Sequence, residues 1–232
     1  AIIFIMLVWY FGDQVEKEHI SYLPAKYCTM LFDKLRKDDQ IPETAQNLIF
    51  LSASNQDLKK HYQRDIVYSI MDRGPKKANA YFFVHLEITD NPYGCSYAVE
   101  NAHDSYIYKV NLYLGFKVRP MIYVFMNQII SDLIASGELA PQKTSYKTEH
   151  RFPSVGSMRF CSLQKIIVSD SGFSPREIFL LETKRGLRNF FGDPKRWFGV
   201  EVPLMITEMV PIYASPSDSY NTKNIPIITR EE

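Results

Sequence analysis

The stretches AYFFVHLEITD (Ala80–Asp90) and YIYKVNLYLGFKVRP (Tyr106–Pro120) decide the fold of this chain. Both are rich in β-branched and aromatic residues, and apolar side chains alternate along them, which is the pattern of strands in a packed sheet. A polar interval, and no helical pattern, separates the two stretches. We therefore expect them to pair as antiparallel strands at the centre of the sheet.

A long helix is predicted directly after the second strand, between Pro120 and Gly137. Proline suits the first turn of a helix, and glycine suits the position just beyond its end. Apolar residues recur at helical spacing, but Asn127, Gln128 and Asp132 interrupt them. The pattern predicts a helix that packs on the core rather than one that spans a membrane.

Upstream of the two strands, residues 47–53 form a continuous apolar run that predicts a strand covered on both faces. The SNQD sequence that follows offers helix-capping side chains, so a helix is expected from about Leu58 to Met71. Downstream, a strand is predicted over 159–170. A capping box at SPRE (Ser174–Glu177) predicts a helix that ends at Gly192, and a last strand region follows over 200–213.

The elements occur in the order β-α-β-β-α-β-α-β and are preceded by a connector helix. This alternation predicts an α/β layered domain with a mixed β-sheet flanked by helices. We divide the chain into a first segment (1–12), a connector (13–46) that Pro24 splits, the α/β domain (47–213) and a polar tail (214–232). Pro203 and Pro211 indicate that the last strand lies at an edge of the sheet or that they mark its ends.

The first residues, AIIFIMLVWYFG (Ala1–Gly12), are apolar and end in aromatic residues. The run is shorter than the roughly 20 residues of a membrane-spanning helix, and it lacks the basic start of a signal peptide. Trp and Tyr at the end of an apolar run are typical of a membrane interface. We interpret it as the last half of a transmembrane helix in a longer protein; a buried strand is the alternative.

The composition and the absence of known motifs narrow the class of protein further. With 46% hydrophobic residues the chain can bury a sizeable core, and a net charge of +1 argues against a nucleic-acid-binding protein. The three cysteines form no CxxC pair, and the five histidines lack the spacing of a metal site. Neither a phosphate-binding glycine loop nor a GxSxG elbow occurs. The sequence therefore predicts no catalytic residue, no cofactor and no metal, and a free-standing enzyme is the least favoured class.

Basic residues recur at the predicted helix ends, for example Lys34, Arg36 and Lys37, and later Lys184 and Arg185. Such residues match the helix dipole, and this is the simpler interpretation. Contact with anionic lipid head groups at a membrane surface is the functional alternative.

Several motifs, taken in order, resemble the C-terminal cytoplasmic region of bacterial Kup-type (KUP/HAK/KT) potassium uptake transporters. They are WYFGD (Trp9–Asp13), HISYLP (His19–Pro24), IPETAQNLIFLSAS (Ile41–Ser54), VYSIMDRGPKKANAYFFVHLEITDNP (Val67–Pro92), YKVNLYLGFKVRP (Tyr108–Pro120) and VEVPLMITEMVPI (Val200–Ile212). The resemblance covers nearly all of residues 1–213.

The resemblance implies a domain on the cytoplasmic face of the inner membrane, in a transporter that takes up potassium by proton symport. Its expected partners are the membrane part of the same chain, a second copy in a homodimer, and the membrane surface. The domain would assist assembly or regulation. The alternative is an α/β module that senses a nucleotide or cyclic dinucleotide. Its phosphate would contact Ser52, Ser54 and Asn55, where we expect the first strand to meet a helix.

Overall fold

A computed structural model of the chain describes residues 2–52, 55, 57–143, 154–167, 172–191 and 205–212. Ser54, Pro203 and the tail 214–232 lie outside the described residues. The elements, in chain order, are α1 (Ile2–Glu18), β1 (Tyr22–Pro24), α2 (Ala25–Lys37), β2 (Glu43–Ser52), β3 (His61–Gln63), α3 (Arg64–Met71), β4 (Lys77–Thr89), β5 (Cys95–His103), β6 (Ile107–Gly115), α4 (Ile122–Ala135), β7 (Met158–Ile167), α5 (Pro175–Phe191) and β8 (Met205–Ile212).

A six-stranded sheet in the order β5-β6-β4-β2-β7-β8 forms the body of the fold. β2 runs parallel to β4 and β7, β4 runs parallel to β6, and β5 is antiparallel to β6. The predicted class, an α/β domain with a mixed sheet, is therefore confirmed. β8 lies at one edge of the sheet, which is one of the two positions that its prolines allowed, and Pro211 lies near its end.

The expected antiparallel pairing of the two central strands is wrong. β4 and β6 are parallel, in a register that places Val84 beside Val110. The polar interval between them contains a further strand, β5, which forms the edge of the sheet and is largely exposed. An edge strand with solvent around most side chains needs no apolar alternation, so its sequence did not indicate a strand.

A tight turn reverses the chain between β5 and β6. The amide of Tyr106 donates to the carbonyl oxygen of His103, and the two central residues, Asp104 and Ser105, have positive φ angles of 39° and 54°. Positive φ at both central positions is typical of a type I′ hairpin turn. The turn inserts β6 between β5 and β4, and this makes β4 and β6 parallel.

Apolar side chains on the two faces of the sheet form two separate cores. On one face α4 contributes Met126, Ile129 and Ile130, which pack with Phe82 and Val110. The core-helix interpretation of this segment is confirmed. On the other face, α2 and α3 cover a second core of buried side chains that includes Phe32, Phe50, Ile66, Ile70, Tyr81 and Phe83. β2 carries fully buried residues toward both cores, as its continuous apolar pattern predicted.

The connector and the first strand–helix unit differ in detail from expectation. Pro24 does divide the connector, since α2 begins at Ala25 immediately after it. The helix expected from Leu58 begins instead at Arg64, because residues 61–63 pair with β1 in a small antiparallel sheet. Tyr62, fully buried opposite Leu23, shows that tertiary packing overrides the local capping signal there.

The chain divides into two compact units. The larger comprises Tyr22–Gln164 and Asp193–Glu208, and the smaller comprises Ala1–Ser21, Lys165–Gly192 and Met209–Glu232. Within the smaller unit, Lys184 of α5 lies 3.3 Å from Asp13 and 3.0 Å from Glu16 of α1. The predicted capping box is confirmed: the amide and hydroxyl of Ser174 donate to Glu177, whose own amide donates to the Ser174 hydroxyl.

Candidate functional site

The carboxyl end of β2 lies at a topological switch point, where successive strands are added on opposite sides of β2. From β2 the chain adds β4 and β6 on one side and later β7 on the other. In parallel sheets such a switch point leaves a crevice beyond the strand ends, where ligands commonly bind. Ser52 is the last residue of β2, and Asn55 is exposed shortly after it. Two of the three predicted contact residues are therefore placed at this edge; Ser54 is not described.

The predicted phosphate site lacks the helix that was to complete it. A phosphate gains from a helix N-terminus only when the free backbone amides point at it. The next helix, α3, begins at Arg64, and its capping position is Gln63. Ser52 and Asn55 therefore do not lead directly into a helix start, and their assignment to a phosphate stays a prediction.

The structure adds two polar side chains that the sequence analysis did not assign. His85 of β4 has its Nδ1 3.3 Å from the carbonyl oxygen of Ser52, and Asn111 of β6 is the register partner of His85. Asn111 is 5% exposed, and its Oδ1 has no hydrogen-bond partner. A buried acceptor without a donor costs free energy, so an N–H or O–H group brought to this oxygen would be stabilising.

Basic side chains divide into buried and exposed groups. Lys76 and Lys184 are buried and paired with carboxylates, which is a structural role. Lys34 and Lys37 at the end of α2 are exposed, whereas Arg36 stacks at 3.9 Å over the ring of Tyr106. Arg36, Lys37 and Lys77 line a small cavity of about 280 Å³. Among the basic residues of α2, the exposed Lys34 and Lys37 fit the predicted contact with an anionic surface.

Asp33 of α2 lies next to His103 and Asp104, although the sequence separates the helix from the hairpin turn. The hydroxyl of Tyr106 donates to Asp33 at 2.6 Å, and this hydrogen bond, with a weaker contribution from His103, holds the pKa of Asp33 below its ordinary value. Burial, and then the same hydrogen bond, raises the pKa of Tyr106. Histidine spacing did not reveal this cluster, because its members come from distant segments.

The first segment is a helix, and the alternative of a buried strand is wrong. The exposed side chains of α1 include Ile3, Met6, Trp9 and Tyr10, while Val8 is buried. Such an apolar exposed surface is typical of a segment that contacts lipid or another protein. Among the helices that the structure describes, none is both long enough and apolar enough to cross a membrane.

The fold defines the chain as an α/β domain with helices on both faces of a mostly parallel sheet. Its relatives are transport proteins. The chain is 35% identical, over 91% of its length, to the probable potassium transport system protein Kup of Streptococcus agalactiae serotype V. It is 33% identical over 93% of its length to a Kup protein of Bifidobacterium longum, and 34% identical over 91% to one of Lactobacillus acidophilus.

The chain spans about a third of the length of the curated relatives it matches, since the matches cover 31%, 29% and 33% of them. The similarity covers nearly the whole chain and confirms the recognition of a Kup-type sequence. No protein-family model and no solved structure matches it.

Proposed function

We propose that this chain is the cytosolic domain of a potassium uptake transporter and that it assists the transporter without conducting the ion. The similarity to Kup proteins over 91% of the chain carries the proposal. The packed sheet also supports it, because its two cores and its buried Lys76–Glu208 pair are features of a rigid scaffold. The role is in assembly or regulation, and the transporter works by proton symport.

Potassium uptake by the complete transporter, in cells that lack other uptake systems, tests the supporting role. Lys76→Met leaves Glu208 buried and unpaired and so unfolds or loosens the domain. We expect the maximal uptake rate to fall, with less protein in the membrane, while the KM for potassium stays unchanged. Lys60→Met removes an exposed lysine and is the matched control. Undiminished uptake by Lys76→Met, or a changed KM with normal protein levels, contradicts the supporting role.

Proton coupling is tested separately. A symporter acidifies the inside of a vesicle when potassium enters, so a pH-sensitive dye in vesicles containing the transporter should report acidification on addition of potassium. Potassium entry without proton entry contradicts the symport.

The proposed location is the cytoplasmic face of the inner membrane, with the apolar side chains of α1 against lipid. Cys95 provides the test, because it is exposed whereas Cys28 and Cys161 are buried. We expect a membrane-impermeant maleimide to label Cys95 in inside-out vesicles and not in intact cells. Cys95→Ser identifies the signal from this residue. Labelling of Cys95 in intact cells contradicts the location.

A homodimer is part of the proposal. β5 supports it, because an exposed edge strand offers unpaired backbone groups to a second copy. Sedimentation equilibrium of the chain at micromolar concentrations should show a dimer, and a monomer over the whole range contradicts it.

A second candidate is the sensing of a nucleotide or cyclic dinucleotide. It is supported by the unpartnered Oδ1 of Asn111, which lies in the sheet at the level of the carboxyl end of β2. Calorimetry with ATP, AMP and cyclic dinucleotides should show binding by the chain, and Asn111→Leu should abolish it. Absence of heat with every compound contradicts this candidate and leaves the transporter proposal intact.

A further inference from the structure

Three potential metal ligands meet between α2 and the hairpin turn that joins β5 to β6. The Nε2 atom of His103 lies 3.4 Å from Oδ2 of Asp33 and 3.4 Å from Oδ2 of Asp104. The ligand atoms of all three side chains lie within 4.8 Å of one another. One imidazole nitrogen thus faces two carboxylate oxygens that come from separate elements.

The distances fit metal coordination as well as they fit a long hydrogen bond. A hydrogen bond between charged nitrogen and oxygen groups is about 2.7–2.9 Å long, so the 3.4 Å separations are too wide for strong hydrogen bonds. Zinc binds nitrogen and oxygen ligands at about 2.0–2.2 Å in tetrahedral geometry, which places neighbouring ligand atoms about 3.4 Å apart. The observed nitrogen–oxygen separations therefore match two edges of a tetrahedral site.

A neighbouring group orients one of the carboxylates. The hydroxyl of Tyr106 donates to Oδ1 of Asp33 at 2.6 Å, while Oδ2 of the same carboxylate faces His103. Tyr106 is itself 2% exposed, and the guanidinium of Arg36 lies 3.9 Å from its ring centroid. Hydrogen bonds of this kind from outside the ligand set are typical of metal sites, where they orient the ligands.

Access from solvent is open on one side of the cluster. The Asp104 side chain is 72% exposed, whereas that of His103 is 26% exposed. An ion bound here would have three protein ligands and a fourth position open to water. Imidazole together with carboxylates suits zinc and its transition-metal neighbours, and it disfavours magnesium and calcium, which take oxygen ligands.

We infer that Asp33, His103 and Asp104 bind a divalent transition-metal ion of the zinc class and that this ion joins α2 to the β5–β6 hairpin. The site is independent of the proposed role in transport: His103 ends β5, the strand proposed to form the dimer, but zinc binding by the chain requires neither the dimer nor transport.

Titration of the full chain with zinc chloride in a calorimeter tests the site. We expect one ion per chain, much weaker binding of magnesium and calcium, and a higher melting temperature with zinc present. Cobalt(II) should give the visible absorption of a tetrahedral complex. A chain that binds no zinc at one equivalent, or that binds magnesium as tightly, overturns the inference.

Substitutions locate the ion. His103→Gln, Asp33→Asn and Asp104→Asn should each weaken zinc binding at least about tenfold, and Tyr106→Phe should weaken it less while retaining the cobalt spectrum. His61→Gln is the matched control, since His61 contacts Tyr22 outside the cluster. Asp104→Asn changes an exposed turn and keeps the test valid if another variant misfolds. Binding unchanged in both His103→Gln and Asp104→Asn overturns the inference.

Discussion

The ammonium group of Lys76 lies 2.8 Å from a carboxylate oxygen of Glu208, with only 7% and 12% of the two side chains exposed. The same ammonium donates to the carbonyl oxygen of Ser69, and the Ser69 hydroxyl donates to the second oxygen of Glu208 at 2.5 Å. A buried ion pair is tolerated only when its remaining donors and acceptors are satisfied. Here the network attaches β8 to α3 and to the residue that precedes β4.

Lys76→Met should lower the free energy of unfolding by about 3–5 kcal/mol, because it leaves the Glu208 carboxylate buried without its counter-ion. The double variant Lys76→Met/Glu208→Leu should recover much of this loss, since neither charge is then buried. Urea denaturation, monitored by circular dichroism, measures the free energy of unfolding of both variants. Lys60→Met, which breaks an exposed pair with Asp57, should leave stability unchanged. Equal stability of Lys76→Met and Lys60→Met would contradict the role of the buried pair.

The capping box of α5 gives a second prediction. Ser174→Ala should destabilise the first turn of the helix by about 1 kcal/mol. The amide of Glu177 donates to the Ser174 hydroxyl, and it loses this acceptor when the hydroxyl is removed. Hydrogen exchange at the amides of this turn provides the measurement. Glu182→Gln, in the middle of the same helix, is the control and should not change exchange there.

Acid should weaken the same turn. Hydrogen bonds from the side chain and the backbone of Ser174 lower the pKa of Glu177 in the folded state. A carboxylate with a lowered folded pKa stabilises the fold fully above its unfolded pKa, and this contribution is lost as the pH falls through the folded value. The protection factor of the amides in the first turn of α5, taken relative to the intrinsic exchange rate at each pH, should therefore fall below about pH 4. Glu177→Gln should lose this pH dependence, and its persistence would show that another group is responsible.

Reactivity toward thiol reagents should separate the cysteines. Burial raises the pKa of Cys28 to about 11 and that of Cys161 to about 12. The thiolate is the reactive form, so neither residue should react at pH 8, whereas the exposed Cys95 should. Mass spectrometry after alkylation should find one modified site in the folded chain and three in urea. Modification of Cys28 or Cys161 without denaturant would indicate that the core opens readily.

The elements that are half-buried or fully buried were predicted from the sequence. Packing against a core requires apolar residues at regular intervals along such an element, and these intervals are recognisable in the sequence. β4 and β6 alternate between two cores, and α4 repeats apolar residues along one face. β5 was missed because an exposed edge strand carries no such period. The parallel pairing of β4 and β6 follows from the position of β5, so it was missed for the same reason.

The candidate sites were predicted less well, since their residues meet only after folding. Ser52 and Asn55 were proposed because they follow a strong strand signal, and their contact with a phosphate stays a prediction. His103 and Asp33 are separated by 70 residues, and no local spacing indicates their contact. Asn111 appears in the sequence, with Lys109, as one of two polar residues within an otherwise apolar strand. That position was a usable signal, because a buried amide requires a partner.

Of the glycines whose surroundings the described residues define, Gly115 at the end of β6 should be the least tolerant of substitution. A Cβ there would overlap the carbonyl oxygen of Asn91 and the backbone of Pro92, where the chain passes from β4 toward β5. The amide of Gly115 also donates to Gly94 at 2.7 Å, so the turn cannot move away without losing a hydrogen bond.

Gly115→Ala should therefore lower the melting temperature more than Gly74→Ala. Gly74 has a φ of 107° but no atom near its Cβ position, so alanine there costs only the backbone strain of about 1–2 kcal/mol. Calorimetric melting of both variants checks the order, and a larger loss for Gly74→Ala would show that the turn of residues 91–94 is free to shift.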